Sequence, residues 1–378
     1  MGAPLQNLPY GTRKPLNSFD RTVASVLIRV VVFFILFALP IMASDASPEA
    51  LIEGGHWKRA RALLEPRVKA NPSDAQAAYL LSRVKMAFGD LDAALNLAEK
   101  AVALDGRNAN YHYQLAEVYS DMMPKAGMLK QLSLSRRLRK ELDAALALDP
   151  NHLEALFGLM LFRFQAPGIV GGDKGNAHAI AEVMVRIDAG RGYLAMARLA
   201  QEEKDLAKVE GFYVKALQAN PRSYEVQMAL ANFYSSQSQK RYDLAEKHAR
   251  EALALEAGRG GAYSVLAVIF AMGQRWSELD AILAQAEKNV PDNLNPHYQA
   301  GRVLVTEGLD LLRAERYFRK YLTQEPEGST PTLASAHWRL GLTLEKQGRK
   351  SEAISELETA VRMKPDFDLA KKDLKRLK

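Results

Sequence analysis

The sequence has 378 residues, of which 48% are hydrophobic, and it contains no cysteine. The missing thiols exclude disulfides, zinc–thiolate sites, cysteine nucleophiles and lipid attachment to a cysteine. The formal net charge is +7, with 51 basic residues interspersed among 44 acidic ones. Because nucleic-acid-binding proteins concentrate positive charge on one face, this mixture argues against a nucleic-acid partner.

The first 46 residues are predicted to be a targeting or anchoring region. Residues 1–22 are polar and basic, and residues 23–46 contain an apolar run from Val30 to Met42. The length of this run suits the core of a signal peptide, and the small residues after it suit cleavage behind Ala43 or Ala46. Alternatively, a longer segment that includes Arg29 acts as an uncleaved transmembrane anchor, since an arginine can extend its charge to the interface. A buried core helix is disfavoured, because the segment has no polar face.

Both export hypotheses place the rest of the chain on the same side of the membrane. Residues 1–43 carry four basic residues and one acidic residue, and all four precede the apolar run. Positive residues before a hydrophobic segment keep that end cytoplasmic. We therefore expect an exported body, which is periplasmic in a diderm bacterium, either released or anchored to the inner membrane.

Residues 47–367 repeat a pattern of small and apolar residues that is clearest in Ala334–Phe367. Gly341 and Ala353 are small enough to let two antiparallel helices approach closely. Gly348 permits a tight turn at positive φ, and Pro365 ends the second helix. Alanine and leucine prevail over alternating β-branched residues, so the pattern favours helices over strands.

This order of residues resembles the tetratricopeptide repeat, a 34-residue helix-turn-helix unit. The resemblance implies an all-α fold, a right-handed superhelical solenoid of about nine units with the first one shortened. Extra residues interrupt the third unit at 120–130 and the fourth unit at 166–177. Residues 368–378 are charged and amphipathic, and we expect them to form a helix that caps the last unit.

The insertion in the fourth unit contains the glycine-rich segment Pro167–Gly175. A Walker-type phosphate loop needs a preceding strand, a glycine directly before the lysine and Ser or Thr after it. Asp173 precedes Lys174 here and Gly175 follows it, so an enlarged turn between helices is the favoured interpretation. The alternative interpretation is a loop that contacts a ligand or partner. The segment also resembles insertions in periplasmic lipoproteins that accompany tripartite solute transporters, although the lipidation cysteine of those proteins is missing.

In tetratricopeptide arrays, positions 5 and 9 of each first helix line the concave groove, so the resemblance assigns the groove residues of this chain. They combine aromatic and arginine side chains, which are typical anchors of recognition surfaces. The candidates for partner binding are Tyr79, Arg83, Tyr113, Glu117, Phe157, Arg198, Asn232, Tyr298, Arg302 and Trp338. An alternative for Phe157, Leu161 and Phe164 is packing beneath the adjacent insertion. The Lys and Asn of the carboxylate clamp in chaperone-binding members are not matched.

No catalytic, cofactor-binding or metal-binding residues are predicted. The seven histidines are dispersed over different units, without a His-x-x-x-His pair near a carboxylate. No Gly-x-Ser-x-Gly nucleophile motif occurs. The basic run Arg136–Lys140 is expected on the solvated outer face, with an acidic partner or anionic lipid as the alternative.

The sequence therefore predicts a non-enzymatic, exported scaffold that binds a protein or peptide partner in its groove, with envelope assembly or secretion as its expected setting. The alternative is a periplasmic protein that binds a small molecule or lipid and works with a transporter. That alternative predicts an enclosed apolar cavity near Phe157–Phe164. The N-terminal segment would contact the membrane if it is not cleaved.

Overall fold

The computed structural model describes residues 46–378, and every regular element in that range is helical. The polar N-terminal region, residues 23–45 of the predicted signal or anchor segment and the predicted cleavage site behind Ala43 lie outside the described residues. Within 46–378 there are nineteen α-helices, of which eighteen form nine antiparallel pairs. We number these pairs as units one to nine. The predicted all-α repeat architecture is confirmed.

The first five units are formed by α1 (Pro48–Glu53) and α2 (Trp57–Ala70), α3 (Ala75–Ala87) and α4 (Leu91–Leu104), α5 (Ala109–Met122) and α6 (Met128–Leu148), α7 (Leu153–Gln165) and α8 (Lys174–Ile187), and α9 (Ala189–Glu202) and α10 (Leu206–Ala219). The other four are α11 (Tyr224–Ser235) and α12 (Tyr242–Leu255), α13 (Gly260–Met272) and α14 (Trp276–Asn289), α15 (Asn295–Glu307) and α16 (Leu311–Tyr321), and α17 (Leu333–Lys346) and α18 (Lys350–Met363). The last helix is α19 (Asp368–Leu377).

Side-chain caps fix where many of these helices begin. Asp74, for example, accepts a hydrogen bond from the Ala77 amide at 2.9 Å. Each such cap satisfies an amide that has no partner within the helix, and its removal costs about 1 kcal/mol. Equivalent caps are supplied by Asp90, Asn108, His152, Asp173, Asp188, Asp205, Ser223, Asp310 and Thr332.

Small residues allow the two helices of a unit to pack closely, as the repeat pattern predicts. A Cβ placed on Gly341 would lie 2.9 Å from Leu357 Cγ, and Ala353 is fully buried. A Cβ on Gly301 would lie 3.0 Å from the Phe318 ring. Side chains at these positions would force the helices apart, so glycine sets the spacing.

The two predicted insertions take different forms. In the third unit, the 3₁₀ turn Met123–Lys125 leads into α6, which has 21 residues. In the fourth unit, the 3₁₀ turn Gly168–Val170 lies between α7 and α8, and Gly171 follows with φ of 101°. Arg163 holds this turn through a 2.7 Å hydrogen bond from Nη1 to the Gly171 carbonyl. The glycine-rich segment is therefore an enlarged turn between two helices.

The nine units bring the start of the solenoid against its later part. Lys58 donates its amide to Glu327 Oε1 at 2.8 Å and its Nζ to the Glu325 carbonyl at 2.7 Å. The Ser329 amide donates to the Ala87 carbonyl at 2.7 Å. We call the segment 323–332, between α16 and α17, the closing loop, because it joins the eighth unit to the first two.

At the other end, α19 covers the ninth unit. Ala370 and Leu377 are buried against the array. The indole Nε1 of Trp338 donates to Asp373 Oδ2 at 2.8 Å. The charged C-terminal segment thus forms a helix that covers the otherwise exposed face of the last unit.

Candidate functional site: a pocket built by two insertions

An apolar pocket of about 340 Å³ lies between the third and fourth units, among α5, α6 and α7. Its floor is apolar, with Leu138 and Leu142 from α6 and Phe157, Leu161 and Phe162 from α7. Leu138 and Leu142 are buried in the core between these units, so the walls are held by packing. We call this cavity the insertion pocket.

The insertions of the third and the fourth unit both contribute to this pocket. Met123 comes from the 3₁₀ turn of the third unit, and Ser135 comes from the lengthened α6. Ala166 and Pro167 begin the insertion of the fourth unit. Residues that a standard repeat would lack therefore form one side of the cavity, which explains why it occurs here in the array.

Glu117 is the one charged residue among those that line the insertion pocket. Its carboxylate accepts a hydrogen bond of 2.6 Å from the Tyr113 hydroxyl and forms no salt bridge with any described residue. Burial raises the pKa of Glu117, and the opposing effects of Tyr113 and of Arg83 do not offset it. Burial, followed by the charge of Glu117, also raises the pKa of Tyr113. The pocket therefore presents a carboxylate that no described residue meets in a salt bridge, with Arg83 as a more distant cation.

A second, more polar cavity of about 620 Å³ adjoins the insertion pocket and extends along units three to six. Tyr113 and Phe157 line both cavities, so they form the shared wall. Glu154 in this second cavity is paired with Arg191. Burial is the largest influence and acts to raise the pKa of Glu154, but the hydrogen bond and charge of Arg191, the backbone amide of Glu154 and the charge of His152 together lower the pKa. We call the two cavities together the groove of units three to six.

Both insertions also expose large apolar side chains. Met128 and Leu129 at the start of α6 are each 85% exposed, and Ile169 in the 3₁₀ turn of the fourth unit is 92% exposed. Scattered exposed apolar residues are ordinary, but such residues beside a groove are typical of interaction surfaces. The insertions thus supply both a cavity wall and exposed apolar contacts.

The structure brings three of the predicted groove residues to this site and places two more beside it. Tyr113, Glu117 and Phe157 line the insertion pocket. The guanidinium of Arg83 lies 5.9 Å from the Tyr79 ring, and Arg83 also attracts Glu117 from a longer distance. Phe157 and Leu161 are half-buried and line the pocket. Each side chain therefore packs beside the insertion and also lines the groove.

The other predicted groove residues lie elsewhere. Arg198 is paired with Glu202 at 2.6 Å, and Asn232 is exposed on α11. Arg302 donates from Nε to Gln299 at 2.9 Å. Two further candidates have internal partners: Tyr298 is 6% exposed and packs on Phe318 and Tyr321, and Trp338 binds α19.

Several site residues were not identified from the sequence. Met123, Ser135, Leu138 and Leu142 lie on the turn and the second helix of their unit, whereas the transferred pattern considers only first helices. The signal that could have found them is the insertion itself, because extra residues in two successive units must lie on neighbouring parts of the solenoid.

The described residues show neither a metal-binding cluster nor a membrane span. Between residues 46 and 378, no three His, Asp or Glu side chains are grouped so that they could hold a metal ion. No helix in this range is long and apolar enough to cross a bilayer.

Comparison with known proteins identifies the repeat type. Models of the tetratricopeptide repeat match residues 49–112 and 334–367. No curated protein sequence matches the chain significantly.

Solved structures with a similar arrangement include yeast Tom70, which is 14% identical, with 95% of this chain and 86% of that chain covered and a TM-score of 0.45. The tetratricopeptide protein TTC0263 of Thermus thermophilus is 21% identical, with 51% of this chain and all of that chain covered and a TM-score of 0.44. YrrB, described as having an unusual peptide-binding site, is 20% identical over 52% of this chain and 97% of that chain, with a TM-score of 0.35. From the two matched segments, the chain contains tetratricopeptide repeats, and its described part folds as a solenoid of nine stacked helix pairs.

Proposed function

We propose that this protein is a non-catalytic scaffold that binds an extended peptide segment of a partner protein in the groove of units three to six. The observation that carries the proposal is that two cavities adjoin each other at Tyr113 and Phe157. An apolar pocket beside a longer and more polar cavity suits a chain with one anchoring side chain and a hydrogen-bonding backbone.

The paired charges of the cavity of about 620 Å³ also favour binding over catalysis. Glu154 and Glu225 are each engaged by an arginine, Arg191 and Arg259 respectively. Such pairs fix charges in place rather than leave them available for proton transfer. An internally paired wall gives shape and polarity to the groove, which is what recognition of a peptide requires.

A peptide selection tests this proposal directly. Random dodecapeptides displayed on phage would be selected on the full-length protein, and the enriched peptides measured by fluorescence polarisation. Ser120 is exposed and lines the insertion pocket, so Ser120→Trp should fill the pocket without removing a core contact. We expect at least tenfold weaker binding of the selected peptides to this variant.

The matched control is Ser133→Trp, which adds the same side chain at an exposed position of α6 that does not line the pocket. This variant should bind the selected peptides as tightly as the unchanged protein. The proposal fails if no peptide is enriched, or if both tryptophan variants bind the peptides equally well.

We further propose that the protein acts after export, as an adaptor in envelope assembly or secretion. The support is the basic flank and apolar run of residues 23–46, which are typical of an export signal or anchor. Cell fractionation and N-terminal sequencing of the mature protein test this. An intact N-terminus on a protein found in the cytosol would contradict it.

The volume of the insertion pocket favours a second candidate function, the binding of a small apolar molecule or lipid. About 340 Å³ lies within the range of roughly 300–1,000 Å³ found for small-ligand sites. Native mass spectrometry of the purified protein would detect a retained ligand, and Ser120→Trp should displace it. Absence of any retained species, together with peptide binding, would favour the scaffold.

A further inference from the structure

The insertion pocket combines an apolar interior with a single carboxylate, and this combination restricts what can occupy it. Every lining residue except Glu117 is uncharged, and most are apolar. A carboxylate in such surroundings favours a cationic partner, because attraction between opposite charges is strong where water is excluded. No described residue supplies that partner through a salt bridge.

We propose that the insertion pocket takes an apolar side chain of the bound peptide while an adjacent lysine or arginine of the same peptide pairs with Glu117. This inference rests on the proposed peptide-binding function and adds the residue types that the groove selects. The apolar side chain would contact Phe157 and Leu161, and the cation would replace solvent near the hydrogen bond between Tyr113 and Glu117.

A peptide is a better occupant than a free amine for two reasons. The pocket adjoins the cavity of about 620 Å³ along units three to six, which offers room for further residues on one side of the anchor. The exposed Met128, Leu129 and Ile169 on the two insertions offer contacts beyond the reach of a molecule confined to the pocket.

The neighbouring groups bear on the protonation of Glu117. Burial is the largest influence and raises the pKa of Glu117, as do the charges of Asp121 and Glu154, whereas Tyr113 and Arg83 lower it; the net shift is upward. A bound cation would favour the ionised form. Affinity for a lysine peptide should therefore rise with pH through the range in which free Glu117 loses its proton. Affinity for an uncharged peptide should not.

The experiment uses the full-length protein and a fixed set of fluorescein-labelled decapeptides. Each peptide carries Leu, Met or Phe at a central position and Lys, norleucine or Glu at the neighbouring positions. Norleucine is close in length to lysine but has no charge, so it separates electrostatics from packing. Fluorescence polarisation gives the dissociation constant of every combination.

We expect Glu117→Gln to weaken binding of the best lysine peptide about tenfold. The affinity for the matching norleucine peptide should change less than twofold. Ser120→Lys serves as a second variant, because a lysine three residues along α5 can pair with Glu117 and compete with the peptide. Ser120→Lys should also weaken the binding of lysine peptides selectively. Circular dichroism would verify that both variants remain folded.

The outcomes separate this inference from the proposed function. Peptides that lose affinity in Ser120→Trp but show no preference for lysine overturn the inference and leave the scaffold function standing. No peptide binding at all overturns both. Binding of free alkylamines that matches the affinity of the lysine peptides would identify a small-molecule site and also overturn the inference.

Discussion

The imidazole Nδ1 of His56 lies 2.9 Å from the carboxylate oxygen Oδ2 of Asp292, although the two residues are 236 positions apart in the chain. His56 precedes α2 in the first unit, and Asp292 follows α14 in the seventh. Together with the closing loop, this pair joins the first two units of the solenoid to the seventh and eighth units.

The contact between His56 and Asp292 should make the closure dependent on pH. The hydrogen bond with Asp292 raises the pKa of His56 above its ordinary value despite partial burial and the nearby charge of Arg59. Burial is the largest influence on Asp292 and acts to raise its pKa, but the hydrogen bond and charge of His56, the backbone amide and the charge of Arg59 together lower that pKa. The stabilisation by His56 is therefore complete below about pH 6.5 and is lost as pH rises through its elevated pKa.

Hydrogen exchange of the Ser329 amide measures this effect, because that amide bonds to the Ala87 carbonyl only when the solenoid is closed. After correction for intrinsic exchange, protection should be about 1 kcal/mol greater at a pH of about 5.5 than at about 8.5. His56→Asn should remove the difference. His178→Asn, in an exposed pair with Glu203, is the control and should retain it. Equal pH dependence in both variants would contradict the assignment.

Lys58 should stabilise the closure more than Arg61 does. The side chain of Glu327 is 2% exposed, and Lys58 Nζ lies 3.3 Å from its Oε2. Lys58→Met would leave a buried carboxylate without its cation, at a cost of about 3 kcal/mol. Glu325, the partner of Arg61, is 50% exposed, so Arg61→Met should cost about 1 kcal/mol or less.

Exchange of the closing-loop amides would compare the two variants under the same conditions. A larger loss of protection in Arg61→Met than in Lys58→Met would show that burial does not determine the ranking. Glu327→Gln in the Lys58→Met background should restore part of the loss, because it removes the unpaired charge.

Gly192 should be intolerant of even a methyl group. A Cβ on Gly192 would lie 2.3 Å from the backbone nitrogen of Val185, where α8 and α9 are joined through the single residue Asp188. Because backbone cannot move aside, we expect Gly192→Ala to destabilise the protein by about 3 kcal/mol. Gly211→Ala, in an open part of α10, should instead stabilise it by about 0.5–1 kcal/mol. Urea unfolding followed by circular dichroism measures both, and a similar effect of the two substitutions would argue against the close approach.

The bond between Trp338 and Asp373 should hold α19 in place. Asp373→Ala removes the acceptor of the indole N–H, and Trp338→Phe removes the donor while keeping a ring against Phe367. Each change should lower the free energy of opening of α19 by about 1 kcal/mol, which would be measured as faster hydrogen exchange of its amides. The double variant should be no worse than Asp373→Ala alone, because both changes remove the same bond and Asp373→Ala also removes the contact with Arg376. Fully additive effects would mean that the bond is not the source of the stabilisation. Asp368→Ala, at an exposed position, is the control.

The alternation of small and apolar residues was enough to predict helix pairs, their order and the turns between them. Gly341, Ala353 and Gly348 occupy the positions that the repeat pattern requires, and each packs or turns as expected. These features follow from the sequence because every unit packs mainly on its neighbours, so the determining contacts are short in sequence separation.

The closure and the insertion pocket were decided only by the tertiary structure. No local pattern relates His56 to Asp292, because their proximity results from the small rotation between successive units summed over the array. The insertions were visible as extra residues, but their joint contribution of Met123 and Pro167 to one cavity depends on how two units stack. The sequence by itself therefore determined the repeating unit, and the three-dimensional stacking of the units determined which side chains meet.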